Sequence, residues 1–243
     1  MMAVENDAAT LQAHMTRTYH NLRVGIGVIG FALPIVLWVG ARLLLPSMSD
    51  YYYNAAMRDT FVGAVITIGV FLYLYKGFST KENWALNAAG AFAVAVALVP
   101  TRAPDMPASV RSASHNTFAV AFFLCIAYVS IFRGSDTLLL IRDTRRAEKL
   151  RTVYKALGIG MVVAPLVAVA IGTDSRTFLV EAAGVWIFSA YWLVKSREIS
   201  ETDAERLALE GKLQAAPAPP SEAAQVAPGR LMQVEPWSSA AVQ

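Results

Sequence analysis

Six stretches of this chain run for the length of a membrane crossing with almost no charge. Arg23 and Arg42 enclose 18 residues without Asp, Glu, Lys or Arg, Asp59 and Lys76 enclose 16, and Glu82 and Arg102 enclose 19. Arg111 and Arg133 enclose 21, Lys155 and Asp174 enclose 18, and Arg176 and Lys195 enclose 18, broken only by Glu181. A hydrocarbon core about 30 Å thick takes about 17–25 helical residues to cross. The second run reaches that length by extending into "YKGF". Backbone groups have no water to bond in lipid, so a helix, which satisfies them internally, is the form such runs take. Composition agrees: 16% of the 243 residues are charged, against about 25% in soluble domains. The expected fold is all-α, an integral membrane six-helix bundle.

The basic residues give the orientation. The N-terminal segment, the 2–3 and 4–5 connections and the segment after helix 6 hold fifteen Lys and Arg near the membrane, seven of them between Arg133 and Lys155. The opposite side holds five: Arg42, Arg58, Arg102, Arg111 and Arg176. Short basic loops stay cytoplasmic, so both termini are expected inside and the first connection, "PSMSDYYYNAAMRD", outside. This placement accounts for the net charge of +3 without a nucleic-acid partner. The expected location is the cell membrane, the inner membrane in a bacterium. The first twenty residues include Glu5 and Asp7 and lack a basic n-region, so the first run reads as a retained anchor rather than a signal peptide. Cys125 is the sole cysteine, which leaves no intrachain disulfide.

Along the chain, residues 1–22 read as a cytoplasmic lead and 23–198 as the bundle. Residues 199–214 read as a short cytoplasmic helix, with Thr202 and Glu205 at capping-box spacing. Residues 215–243, rich in Ala, Pro and Ser without periodicity, read as a disordered tail. Ala85, Ala89, Ala93 and Ala97 form a small-residue stripe in helix 3, and Gly160, Ala164, Ala168 and Gly172 form one in helix 5. Gly25, Gly27 and Gly30 do the same for helix 1. Such stripes let membrane helices approach closely. Pro34 and Pro165 fall within helices 1 and 5, where each removes a backbone bond. No matched pair of broken helices marks an inverted-repeat transporter.

The outward face gathers the candidate chemistry. Successive helical residues turn by about 100°, so Tyr51, Tyr52 and Tyr53 cannot all face one way. Ser49 or Asp50 is placed to cap a short helix, and Arg58 and Asp59 sit where helix 2 enters the membrane. Arg102 and Asp105 close helix 3, and His115 opens helix 4. Glu181 lies seven residues past Asp174, about 10 Å deep at 1.5 Å per residue. An acid at that depth is expensive and faces the bundle interior by default, as a functional group or as the buried partner of Arg58, Arg102 or His115. The candidate ligand-binding residues are Asp50, Tyr52, Arg58, Asp59, Arg102, His115 and Glu181. One histidine with scattered carboxylates falls short of the three or four converging ligands of a zinc site, so no metal and no cofactor is expected.

On the cytoplasmic side, Ser79 or Thr80 with Glu82 or Asn83 marks the start of helix 3, and Asn87 is expected to bridge to a neighbouring helix. The 4–5 connection reads as a capped helix from about Ser135, laying Leu139, Leu140, Leu150 and Val153 on the membrane. Its Arg142, Arg145, Arg146, Lys149 and Arg151 are positioned to contact anionic lipid.

The run from "PSMSDYYYNAAMRDTFVGAVITIGVFLYLYKGF" through "SASHNTFAVAFFLCIAYVSIF" resembles a group of uncharacterised bacterial multi-pass proteins. "LPSMSDY" after the first helix resembles the serine–acid motif of the DRAM/Frag/Sfk six-helix proteins. Neither resemblance implies an activity. The alkaline ceramidase-like membrane hydrolases use several histidines and an aspartate on zinc; this chain has one histidine in the bundle and lacks the late His pair. The leading expectation is therefore a non-enzymatic membrane protein that binds a lipid headgroup or small ligand in an outward polar pocket, as a sensor, accessory or transport-like protein. The alternatives are a lipid hydrolase using His115 and carboxylates, and a structural subunit of a membrane complex.

Overall fold

The computed structural model describes residues 2–101, 113–171 and 175–212. All regular structure among these residues is helical. Helix α1 spans Met2–Ala41, α2 Arg58–Leu74, α3 Thr80–Leu98 and α4 Ala113–Tyr128. A π-helical turn, Val129–Arg133, continues α4; α5 spans Thr144–Ile171, α6 Ser175–Thr202 and α7 Ala204–Leu209. Short 3₁₀ turns cover Met48–Tyr53 and Leu138–Leu140. The lead is thus one helix with the first apolar run, unbroken at Arg23. Each helix packs on the next in the chain, and α6 returns to α1, so the arrangement closes on itself.

Four helical segments are long and apolar enough to cross a membrane: Thr10–Ala41, Ser114–Leu140, Thr144–Ala168 and Arg176–Thr202. Their outer faces are oily. Phe31, Trp38 and Val39 of α1, Ile159 and Leu166 of α5 and Leu179 of α6 are each at least half exposed. A soluble protein keeps such contiguous apolar surface small; a membrane protein turns it to lipid. The remaining helices are shorter or more polar. α2 has 17 residues, and α3 opens on Thr80-Lys81-Glu82-Asn83.

Small residues set the close contacts, as the stripes imply. A side chain on Gly90 would meet Gly69 O at 2.6 Å and Tyr73 N at 3.1 Å, so α2 and α3 touch backbone to backbone. Gly27 and Gly30 face Leu193 and Ser189 of α6, Gly25 faces Phe71 of α2, and Gly160 faces Ile187 of α6. Two apolar cores result. One holds Ile26, Leu72, Leu86, Ile126, Phe188 and Trp192, between the middle of α1 and the middle of α6. The other, Leu33, Leu37, Met48, Tyr51, Phe61, Phe178 and Ala182, lies under the first connection.

Candidate functional site

The first connection is a fastened lid. Ser47 caps the 3₁₀ turn, accepting from Ser49 N, and Asp50 Oδ2 accepts from Ser47 N at 3.1 Å, completing a capping box. Glu181 then grips the same turn from α6. Its two carboxylate oxygens each accept from Ser47 Oγ at 2.9 Å, and Oε2 accepts from Met48 N at 2.6 Å. The partner of this intramembrane acid is thus a hydroxyl and a backbone N–H. Pro46 O accepts from Phe178 N at 2.8 Å, which ties the connection to α6 a second time.

The tyrosines divide as helical geometry requires. Tyr51 is wholly buried against Phe178, and its hydroxyl donates to Leu43 O at 2.7 Å. Tyr52 is half-buried, and the Arg58 guanidinium stacks over its ring at 4.9 Å while Nη2 donates to its hydroxyl at 3.3 Å. Tyr53 is exposed and donates to Thr101 O at 2.7 Å. Asp59, in the first turn of α2, is exposed. His115 is buried and shares a 2.7 Å hydrogen bond between Nδ1 and Val99 O, joining the start of α4 to the end of α3. Arg102 and Asp105 lie outside the described residues. Tyr52 and Arg58 meet directly, Asp50 and Glu181 meet on Ser47, and His115 goes to its own neighbour.

The densest buried charge lies at the other end of the bundle, around Lys195, which enters the sequence analysis only as the end of the sixth run and one of the basic residues that set the expected orientation. Lys195 is 2% exposed, and Nζ donates to Gly134 O at 2.8 Å, Thr137 Oγ1 at 2.6 Å and Glu198 Oε2 at 2.6 Å. Glu198, equally buried, also accepts from Thr137 Oγ1 at 2.6 Å and the Tyr154 hydroxyl at 2.8 Å. All three ammonium protons and both carboxylate oxygens are satisfied, as burial of such a pair demands. The π turn serves this cluster by bringing Ser130 Oγ to Tyr154 O at 2.7 Å. Glu82 is also buried; Oε2 accepts from Phe78 N at 2.8 Å, while Ser79 caps α3 by accepting from Glu82 N. Asn87 makes no expected bridge: its Oδ1 is buried without a hydrogen bond.

Arg23 is the exception to this full satisfaction. It is 0% exposed, pairs with Glu205 through Nη1 and lies 5.7 Å from the Tyr75 ring centre, yet Nε and Nη2 make no hydrogen bond. The expected Thr202–Glu205 capping box does not form. Thr202 continues α6 with its hydroxyl bonded to Glu198 O at 2.9 Å, and Asp203 breaks the helix at φ +52. Glu205 is thereby turned toward α1 instead of capping α7. The outer side of α7 carries Arg206 and Lys212 on Glu210, whose carboxyl is held below its usual range by the Lys212 hydrogen bond.

The 4–5 connection differs from the expected helix. A 3₁₀ turn buries Leu138 and exposes Leu139, and α5 starts only at Thr144, after Asp143 Oδ1 accepts from Arg145 N at 3.0 Å. Arg142, Arg145, Arg146, Lys149 and Arg151 are exposed there; Arg146 pairs with Glu201 and Arg151 with Glu148 at 3.2 Å. Among the described residues no group of three His, Cys, Asp or Glu converges as a metal set.

Fold and side chains together define an all-helical protein of membrane type, with apolar faces outward and ionic groups buried at one end. No known protein family, curated protein or solved structure matches the chain.

Proposed function

We propose that the protein is a six-span membrane protein, both termini cytoplasmic, that binds a lipid headgroup or small polar ligand at its outer rim without turning it over. The supporting observation is the Arg58–Tyr52 pair. Arg58 is exposed, yet its guanidinium is stacked and hydrogen-bonded on a tyrosine of the fastened lid. A guanidinium held flat in this way loses little further freedom on meeting a phosphate, and the rim is where headgroups lie. The bond from His115 Nδ1 to Val99 O gives the imidazole a packing role and supplies no support for acid–base chemistry at that nitrogen. On the opposite face, exposed Arg142, Arg145, Lys149 and their neighbours attract anionic lipid, at about 1 kcal/mol per basic residue near the surface.

The test is thermal unfolding of the purified chain in nanodiscs of phosphatidylcholine, phosphatidylethanolamine or phosphatidylglycerol. Headgroup-dependent stabilisation that Arg58→Gln reduces more than Arg145→Gln does is the expected result. Equal loss in both variants overturns the outer site, and lipid turnover abolished by His115→Ala overturns the non-enzymatic reading.

A further inference from the structure

We infer that Arg23, with Arg17 and His20, forms a second site, at the α7 end of the bundle, for a phosphomonoester group, and that the Glu205 carboxylate occupies it in the ligand-free chain. The argument begins with donors. A guanidinium offers five N–H groups in a planar fork that matches the oxygens of carboxylate or phosphate. Arg23 uses Nη1 on Glu205 and leaves Nε and Nη2, its side-on edge, buried and unbonded. Trp192 Nε1 is a third buried donor without an acceptor, and its ring packs on Tyr75, the same ring that Arg23 covers. Buried donors are normally satisfied. Three donors thus surround one ring, and the Tyr75 hydroxyl beside Arg23 is the one side-chain acceptor there among the described residues, fewer than they need.

A pocket of about 240 Å³ opens beside this place, lined by Thr16, Arg17, His20, Ile199, Ser200, Asp203 and Glu205. Thr16, His20 and Arg23 stand at i, i+4 and i+7 on α1, a single helical face. Arg17 is exposed at the pocket's edge, and His20 is oriented by a 3.0 Å bond between Nδ1 and Ser200 Oγ. Of the two acids, Asp203 is already paired with Arg206 at 3.4 Å, and Glu205 is the group that separates Arg23 from the pocket.

Glu205 is a carboxylate placed as a ligand's would be, but it engages only one guanidinium nitrogen. A phosphomonoester carries more oxygens and more charge, and can accept from the Nε and Nη2 pair that Glu205 leaves. Exchange requires α7 to swing away. The chain has a hinge for that: one residue, Asp203, in the left-handed region between two helices. Beyond Arg23, α7 is held to α1 by a long 3.4 Å bond from Gln12 Nε2 to Arg206 O and by burial of Ala204. This site and the outer rim lie at opposite ends of the apolar part of α1, so either can fail alone.

The experiment uses the full chain in phosphatidylcholine nanodiscs and reads the unfolding midpoint against added inorganic phosphate, or against phosphatidic acid or phosphatidylglycerol in the disc. Stabilisation by phosphatidic acid alone assigns the phosphate to a lipid, and stabilisation by dissolved phosphate assigns it to a soluble compound. Glu205→Gln, which removes the competing charge, is expected to tighten that binding about tenfold, and Arg17→Gln, at an exposed position, to weaken it about tenfold. Arg23→Lys keeps the charge for Glu205 and loses the fork, so it is expected to abolish the response. No response to either phosphomonoester, a response matched by phosphatidylglycerol, or unchanged affinity in folded Glu205→Gln and Arg17→Gln overturns the site.

Discussion

Lys195→Met separates two views of what buried polar groups do in this bundle. Lysine and methionine are similar in length, so the substitution removes mainly the charge and three hydrogen bonds, to Gly134 O, Thr137 Oγ1 and Glu198 Oε2. Hydrogen bonds between membrane helices average about 0.6 kcal/mol, so on that scale the loss is about 2 kcal/mol. The substitution also strands Glu198, 2% exposed, with two hydroxyl donors and no counter-charge. Removing one partner of a buried ion pair costs about 3–5 kcal/mol, because the surviving charge stays desolvated. Burial at both ends selects the larger figure. Reversible unfolding in mixed micelles is therefore expected to show a loss of about 3–5 kcal/mol for Lys195→Met. The double variant with Glu198→Gln is expected to recover most of that loss, while Arg197→Met, at the exposed neighbouring position, changes stability by less than about 0.5 kcal/mol. A loss of 2 kcal/mol or less, or a double variant no better than Lys195→Met, refutes the reasoning.

Three further outcomes follow from the contacts. Glu181→Leu removes the acceptor that holds Ser47 Oγ and Met48 N; it is expected to cost about 1.5–3 kcal/mol and to raise proteolysis between residues 46 and 54. Gly90→Val drives a side chain into Gly69 O and Tyr73 N and is expected to cost at least about 1–3 kcal/mol in the same unfolding assay, whereas Gly63→Ala, with open space around it, is expected to change little. With Cys125 replaced by serine, a cysteine at position 53 is expected to react with an impermeant maleimide in intact cells and one at position 197 only after lysis; the reverse pattern refutes the orientation.

The helices were legible because charge is excluded from a span whatever its partners are. The uncharged interval from Arg23 to Arg42 marks the second half of α1, though not the half before Arg23, and the glycines at 25, 27 and 30 mark its contact faces by size alone. The fate of Tyr51, Tyr52 and Tyr53 was likewise local, since a turn of helix separates their directions. What the sequence hid was pairing at distance. Glu181 meets Ser47 across 134 positions and Arg23 meets Glu205 across 182, and nothing near either residue names its partner. Thr202 and Glu205 misled for the opposite reason: their spacing fits a local cap, but α6 runs through Thr202 and the buried guanidinium of Arg23 attracts Glu205 more strongly than an end-of-helix N–H.

The two ends of the bundle close by different means, and charge explains the difference. At the lid end, backbone and hydroxyl groups of residues 43–53 meet one another and two acids, Asp50 and Glu181, so neutral donors carry the closure. At the other end packing draws two basic residues from within their helices, Arg23 of α1 and Lys195 of α6, inside. Each then needs a carboxylate, and Glu205 and Glu198 supply them from the final two helices. Lys195 is thereby fixed by neighbours in α5, α6 and the 134–137 turn, all of which belong to the bundle. Arg23 depends on a six-residue helix beyond it. A charge held by the bundle stabilises the fold, whereas a charge held by a detachable helix remains open to exchange. That contrast is the reason exchange is proposed at Arg23 rather than at Lys195.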